Sequence, residues 1–193
     1  MAELMRNPEK MKKAQAELDG VVGRNRRVEE NDTDRLPYLY SVVKEVFRLH
    51  PVAPLLIPHR AASTCEIGGY LIPRDTQVIV NVWAIGRDPA VWIEPSKFAP
   101  ERFIDTEMSS VDYRGQHFEL LPFGSGRRMC VGLPLASRII HLVLASLIHS
   151  FDWVPPKNKS ADQVDMTEKF GITMAKAVPL EAIPSPRLPL DVY

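Results

Sequence analysis

The segment Pro122-Phe123-Gly124-Ser125-Gly126-Arg127-Arg128-Met129-Cys130-Val131-Gly132 carries the residues most able to do chemistry. Gly124 and Gly126 let a loop turn tightly and bring its backbone close to a flat ligand. Cys130 follows, with arginines beside it and an apolar, helix-forming run after it. A helix N-terminus and neighbouring positive charge both favour thiolate over thiol. Gly132 leaves space beside the sulfur. A thiolate presented this way is a nucleophile or a metal ligand. A buried structural cysteine is the competing reading of a single Cys, and residue type alone leaves it open. A phosphate loop is excluded, because the spacing is not G-x-x-x-x-G-K-S/T and no strand signal precedes it. A cysteine hydrolase needs a base or an anion cradle, and neither is evident near Cys130.

The elements that must position this loop are punctuated by proline. The chain has 193 residues and 17 prolines, about 9%, against average usage near 5%. That excess excludes an all-helical bundle. Proline-free stretches at 9–36, 38–50 and 135–154 are the helix candidates. Asn7-Pro8 reads as an N-cap with Pro at the first helical position, followed by Met11, Ala14, Leu18 and Val21 on one face and Gly23 as a stop. Met1 to Arg6 favours helix but is too short to stand alone. A second helix runs from Pro37 to His50, with Leu39, Val42, Val43, Val46 and Phe47 as its apolar stripe. From Pro51 to Asn81, short alternating runs around Gly68-Gly69 and Pro73-Arg74-Asp75 predict a small β-sheet. Residues 82–92 read as a short helix interrupted at Pro89, and 93–123 as a long ordered coil of the kind that usually serves function. A third helix, Leu133 to Ser150, is apolar almost all round, which predicts deep burial. The expected class is mainly α with a small β-sheet.

Composition narrows the function. With 24 basic and 24 acidic side chains the net charge is zero, which argues against a nucleic-acid role. The run Arg24 to Arg27 is answered at once by Glu29, Glu30, Asp32 and Asp34, and reads as a solvated turn. Cys65 and Cys130 are too few for a disulfide scaffold or a zinc module. No charged-then-apolar leader follows Met1, and Leu133 to Phe151 carries Arg138, His141 and His149, so neither targeting nor transmembrane segment is expected. Asn31-Asp32-Thr33 and Asn158-Lys159-Ser160 match the glycosylation acceptor pattern and carry little weight without a leader.

The loop matches F-x-x-G-x-R-x-C-x-G and so resembles the haem-binding signature of the cytochrome P-450 monooxygenases. Two further motifs stand in the family's order. Glu45-Val46-Phe47-Arg48 is similar to its E-x-x-R, and Pro100-Glu101-Arg102-Phe103 to its P-E-R-F. One turn of helix brings Glu45 to Arg48. Alone they would read as a surface pair worth under about 1 kcal/mol; the resemblance instead implies a buried Glu–Arg–Arg cluster with Arg102. It further implies that Cys130 is the axial thiolate of haem iron, that Phe123 shields the sulfur and that Gly126 permits the loop. Arg128 and His59 would hold haem propionates, although His59 also reads as a plain strand-edge histidine. Arg127 would face the electron donor or solvent. Two apolar segments, with Val52, Leu55, Leu56, Ile57 and, around Phe170 to Thr173, Ile172, resemble substrate contacts and equally suit ordinary core.

The resemblance covers most of the chain and lies nearest to plant microsomal members acting on terpenoids and similar small lipophiles. Val131 departs from the proline those members usually carry after the cysteine. By this resemblance the activity is oxygen insertion from dioxygen into a lipophilic substrate, with electrons from an NADPH-dependent flavoprotein reductase, at the endoplasmic reticulum membrane. It also implies that residues 1–193 are the C-terminal portion of one domain. The membrane anchor, the oxygen-activating helix with its catalytic residues, and most of the substrate cavity would then lie outside this chain. A catalytically silent haem-binding fragment is the alternative.

Overall fold

The computed structural model describes residues 1–156 and 159–193, so Asn158 of the second acceptor pattern lies outside the described residues. Helix α1 (Ala2–Arg6) leads through Asn7 into α2 (Pro8–Val21), whose Pro8 starts it and whose Met11, Ala14 and Leu18 are buried. Helix α3 (Pro37–Leu49) is central. Its Leu39, Val42 and Leu49 pack with α2 and with Ala145 and Ile148 of α5 (Leu133–Ser150). Its Val43 and Phe47 face the opposite way, onto Trp92, Phe103 and Tyr113 of the coil. Burying each such side chain fully contributes about 1.5–3 kcal/mol, so α3 joins two cores that would otherwise be separate.

The start of α3 is capped from another helix. Leu36, its N-cap residue, has no side-chain acceptor, and the Glu17 carboxylate of α2 takes its place. Glu17 accepts the Tyr38 N–H at 2.7 Å and the Leu39 N–H at 2.9 Å. Burial pushes the Glu17 carboxyl up from its ordinary value, and those two N–H groups oppose the rise. The α2–α5 pairing is likewise polar at its edges. Gln15 donates to the Ile148 carbonyl at 3.3 Å and to Asp152 at 3.0 Å. Arg187, from the tail, joins Asp19 of α2 at 3.0 Å to the His149 carbonyl at 2.8 Å.

Strands among the described residues form separate antiparallel pairs. These are β1 (His59–Arg60) with β4 (Gln77–Val78), β2 (Cys65–Ile67) with β3 (Tyr70–Ile72), β5 (Phe151–Val154) with β8 (Ile183–Pro186), and β6 (Glu168–Lys169) with β7 (Ala175–Lys176). The expected sheet over 51–81 is therefore two short ladders. The β2–β3 hairpin turns on Gly68 and Gly69 at φ 57° and 82°, a conformation with positive φ at both central residues.

Three expectations need correction. The helix expected over 82–92 is only α4 (Val82–Ile85), because Asp88-Pro89 cannot continue it and turns follow to Trp92. Asp32 is not part of a solvated turn; it is buried, held by Arg26 at 2.6 and 2.8 Å and by Arg35 at 2.5 Å. The Arg26 guanidinium holds the Asp32 carboxyl well below the usual carboxylate range. Helix α5 has the expected bounds, yet it is not buried all round: Leu135, Ile139 and Val143 are exposed along one stripe. By length and composition alone α5 could cross a membrane. Here its Ala145, Ile148 and His149 are fully buried against the core.

Candidate functional site

Three segments meet behind the cysteine loop, and Glu45 ties them together. Its side chain is fully buried. It accepts Arg48 Nε at 2.7 Å and Nη2 at 2.8 Å, a bidentate pair, and Arg102 Nε at 3.0 Å. The Ala99 backbone N–H adds a fourth donor at 2.8 Å. The remaining guanidinium hydrogens reach backbone carbonyls of the coil: Arg48 to Gly86 at 2.5 Å, Pro95 at 2.7 Å and Lys97 at 3.1 Å, and Arg102 to Ile93 at 2.9 Å. Both guanidinium groups lie over the Trp92 ring, at 5.2 and 5.9 Å. The E-x-x-R and P-E-R-F motifs thus form one network, fully buried at Glu45 and Arg48 and partly exposed at Arg102, in which the side chains satisfy a coil that has no ladder of its own.

The coil carries the cysteine loop forward. Gly124 and Gly126 have φ of 72° and 70°, the left-handed region open to glycine. The Cys130 N–H donates to the Phe123 carbonyl at 3.0 Å, closing the loop, and a short 3-10 turn, Gly126–Arg128, fills it. The Phe123 ring packs edge-on to Phe47 at 5.3 Å. Tyr113, fully buried, stands edge-on to Phe47 and hydrogen-bonds Ser137 Oγ of α5 at 2.7 Å. The loop is thus held between α3 and the first turns of α5. Cys130 is exposed, as are Arg127, Arg128 and Val131. A Cβ on Gly132 would sit 3.6 Å from the Cys130 sulfur. No ion pair involves Arg127 or Arg128 among the described residues.

Leu56 has a φ of 49°, a left-handed backbone that costs a non-glycine residue about 1–2 kcal/mol. Its Cδ1 lies 3.7 Å from where a Gly124 Cβ would stand, so this strained turn abuts the cysteine loop. Strain of this kind clusters at functional sites. The two apolar segments singled out in the sequence are tied next to their ends: the N–H of Met174, the residue after Thr173, donates to the Val52 carbonyl at 2.7 Å. Val52, Ile57, Phe170 and Ile172 are exposed, and Leu55 and Leu56 half-buried. His59 sits on exposed β1 and makes no hydrogen bond to the cysteine loop among the described residues.

Two glycines escaped the sequence reading. A Cβ on Gly86 would fall 2.3 Å from the Arg48 carbonyl oxygen, and one on Gly115 2.7 Å from Met129 Sδ. Gly115 also accepts Ser125 Oγ at 2.7 Å, so it supports the loop from below the Met129 side chain. Lone glycines within an ordered coil were the available signal. Trp92 is the platform for both arginines. A cleft of about 1030 Å³ opens between residues 30–37, α3 and the start of α5; Tyr40, Lys44 and His141 line it, and Cys130 does not.

The family model described as cytochrome P450 matches residues 1–179. Cytochrome P-450 76T24 of Catharanthus roseus is 52% identical over 184 residues, which is 95% of this chain and 36% of that protein. An iridoid oxidase of the same plant is 54% identical, covering 96% of this chain and 36% of its own length. A flavonoid 3',5'-hydroxylase of Crocosmia x crocosmiiflora is 48% identical across the whole chain and 37% of its own length. A zebrafish cytochrome P-450 solved with abiraterone superposes with a TM-score of 0.83 at 35% identity, over 96% of this chain and 41% of that one. The chain therefore spans little more than a third of the curated relatives it matches, and it belongs to the cytochrome P-450 family.

Proposed function

We propose that the chain is the thiolate-bearing part of a haem-dependent monooxygenase that inserts one atom of dioxygen into a small lipophilic molecule, such as a terpenoid. The observation that carries this reading is the exposed Cys130 sulfur, at the end of a glycine loop fixed by the Phe123 carbonyl. The residues present suit haem. Gly124 and Gly126 permit close backbone approach to a flat ring, and Gly132 keeps the space beside the sulfur open. Cys130 would ligate the iron, and Phe123 and Gly126 would shape the loop around it. Arg128 and His59, both exposed, would hold the propionates. When bound, the haem supplies oxygen activation at an iron made electron-rich by its thiolate ligand.

The chain's own residues hold that ligand still. Glu45, Arg48 and Arg102 lock the coil, and Tyr113 and Phe47 hold the loop between two helices. Val52, Leu55, Leu56, Ile57 and Ile172 would offer apolar contact to substrate. Electrons would come from an NADPH-dependent flavoprotein reductase, with Arg127 facing it, at the endoplasmic reticulum membrane. Residues that deliver protons to dioxygen are assigned to protein outside this chain. A second reading, a catalytically silent haem-binding fragment, is favoured for this polypeptide alone by the exposed Leu135, Ile139 and Val143 stripe.

A reduced, carbon-monoxide difference spectrum of the chain with added haem tests the assignment. A red-shifted thiolate-type Soret band, lost in Cys130→Ser, is the expected result. A band that survives Cys130→Ser would remove Cys130 as the ligand. Substrate oxidation by this chain with reductase would sink the silent-fragment reading.

A further inference from the structure

His50 is gripped by carboxylates from two distant parts of the chain. Its Nε2 lies 2.8 Å from Glu3 Oε1 on α1, and its Nδ1 3.1 Å from Glu168 Oε1 on β6. Carboxylates only accept, so a ring that donates from both nitrogens satisfies the arrangement. Glu168 has further partners. The Trp83 indole N–H donates to its other oxygen at 3.1 Å, and Arg87 reaches Oε1 at 3.5 Å while lying 4.1 Å over the Trp83 ring. His50, Trp83 and Arg87 thus converge on one carboxylate at the start of the 168–174 loop.

The other end of that loop is anchored by the Met174 N–H on the Val52 carbonyl, at 2.7 Å. Between the two anchors lie Phe170 and Ile172, 68% and 91% exposed. The loop's own ladder, β6 with β7, pairs only two residues on each strand. A hairpin that short does not hold its geometry unaided. One further backbone bond, from the Ala177 N–H to the Thr167 carbonyl at 2.7 Å, closes the base of the hairpin, and the side-chain clamp at Glu168 and the bond to Val52 add the remaining anchors.

We propose that His50 and Glu168 are a positioning pair that sets Phe170 and Ile172 against the Val52–Ile57 turn, and so selects among lipophilic substrates by shape. This rests on the proposed reading of those two segments as substrate contacts. His50 touches neither substrate nor haem; it acts through Glu168. It stands two residues beyond Arg48, but it shares no hydrogen bond with the Glu45 network, so the two can be perturbed separately.

The test compares the haem-loaded protein with His50→Leu, which removes both donors, His50→Arg, which restores two donor directions, and Glu168→Gln. Hydrogen exchange of residues 170–177 should run about tenfold faster in His50→Leu, the loss expected for one charge-assisted hydrogen bond, and return toward the parent rate in His50→Arg. Limonene and a flavanone serve as a small and a large lipophilic probe, with binding read from the Soret shift. The ratio of their dissociation constants should change at least about threefold in His50→Leu and Glu168→Gln, with the thiolate band unaltered. Unchanged exchange in both variants would overturn the positioning role. Faster exchange with an unchanged ratio, or no binding of either probe to the parent protein, would overturn substrate selection. A missing thiolate band in the parent would instead count against the haem reading, with the exchange result still deciding whether His50 positions the loop.

Discussion

Replacing Glu45 with alanine removes the acceptor of four hydrogen bonds at once and leaves the Arg48 guanidinium buried without its counter-charge. Breaking a buried pair from one side typically costs about 3–5 kcal/mol, because the orphaned charge has no water to replace its partner. Arg48 keeps its three carbonyl acceptors, which argues for the lower half of that range. A loss of about 3 kcal/mol corresponds to about 6–12 °C in melting temperature for a chain of this size. Thermal unfolding followed by circular dichroism would measure it. The double variant Glu45→Leu/Arg48→Met should be milder than Glu45→Ala, since it leaves no unpaired charge behind. A Glu45→Ala shift below about 2 °C would refute the reasoning, because it would mean the pair behaves like an exposed one. A double variant worse than the single would refute it from the other side, showing that the charges contribute by more than mutual compensation.

Three further outcomes follow from the geometry. Gly86→Ala should destabilise by about 1–3 kcal/mol, since its Cβ meets the Arg48 carbonyl oxygen, and both are backbone-fixed; denaturant midpoints check it, and a neutral result would show that the end of α3 can yield. Tyr113→Phe should cost about 1 kcal/mol and leave Ser137 Oγ without that partner, measurable in the same way. For Asp32, the folded-state carboxyl titrates below its ordinary value of 3.8, so the stability it contributes is present above that pH and is lost as pH falls through the folded value. The gap in urea midpoint between the parent and Asp32→Asn should therefore be widest near neutrality and begin to narrow below about pH 4. A gap that stays constant down to pH 2.5 would contradict this.

Much of the site was legible because its residues are adjacent in sequence or fixed by local rules. Pro8 and Pro37 mark helix starts, Gly124 and Gly126 mark a loop, and Glu45 lies one turn from Arg48. What lay hidden depends on partners far along the chain. His50 and Glu168 are separated by 118 residues, and nothing near either one signals the other. The Glu17 cap on α3 comes from another helix, where a local reading looks only at Leu36. Helix α5 was expected to be buried because its sequence is apolar on all sides, but composition does not say which side has a neighbour. Its Leu135, Ile139 and Val143 face outward while Ala145 and Ile148 are covered. Alternating runs signalled strands over 51–81, but with only two or three residues on each strand alternation did not tell that they form two separate ladders rather than one sheet.

The pairing of α2 with α5 also has a consequence for biosynthesis. Gln15 and Ile148, joined in the folded protein, are 133 residues apart. At about 5–20 residues per second, a ribosome needs about 7–27 s to extend from one to the other. Throughout that delay the Met11, Ala14 and Leu18 face of α2 has no α5 to cover it. Nascent α2 is thus a natural client for chaperones that hold apolar helices, and slower translation would lengthen the interval in which it can aggregate.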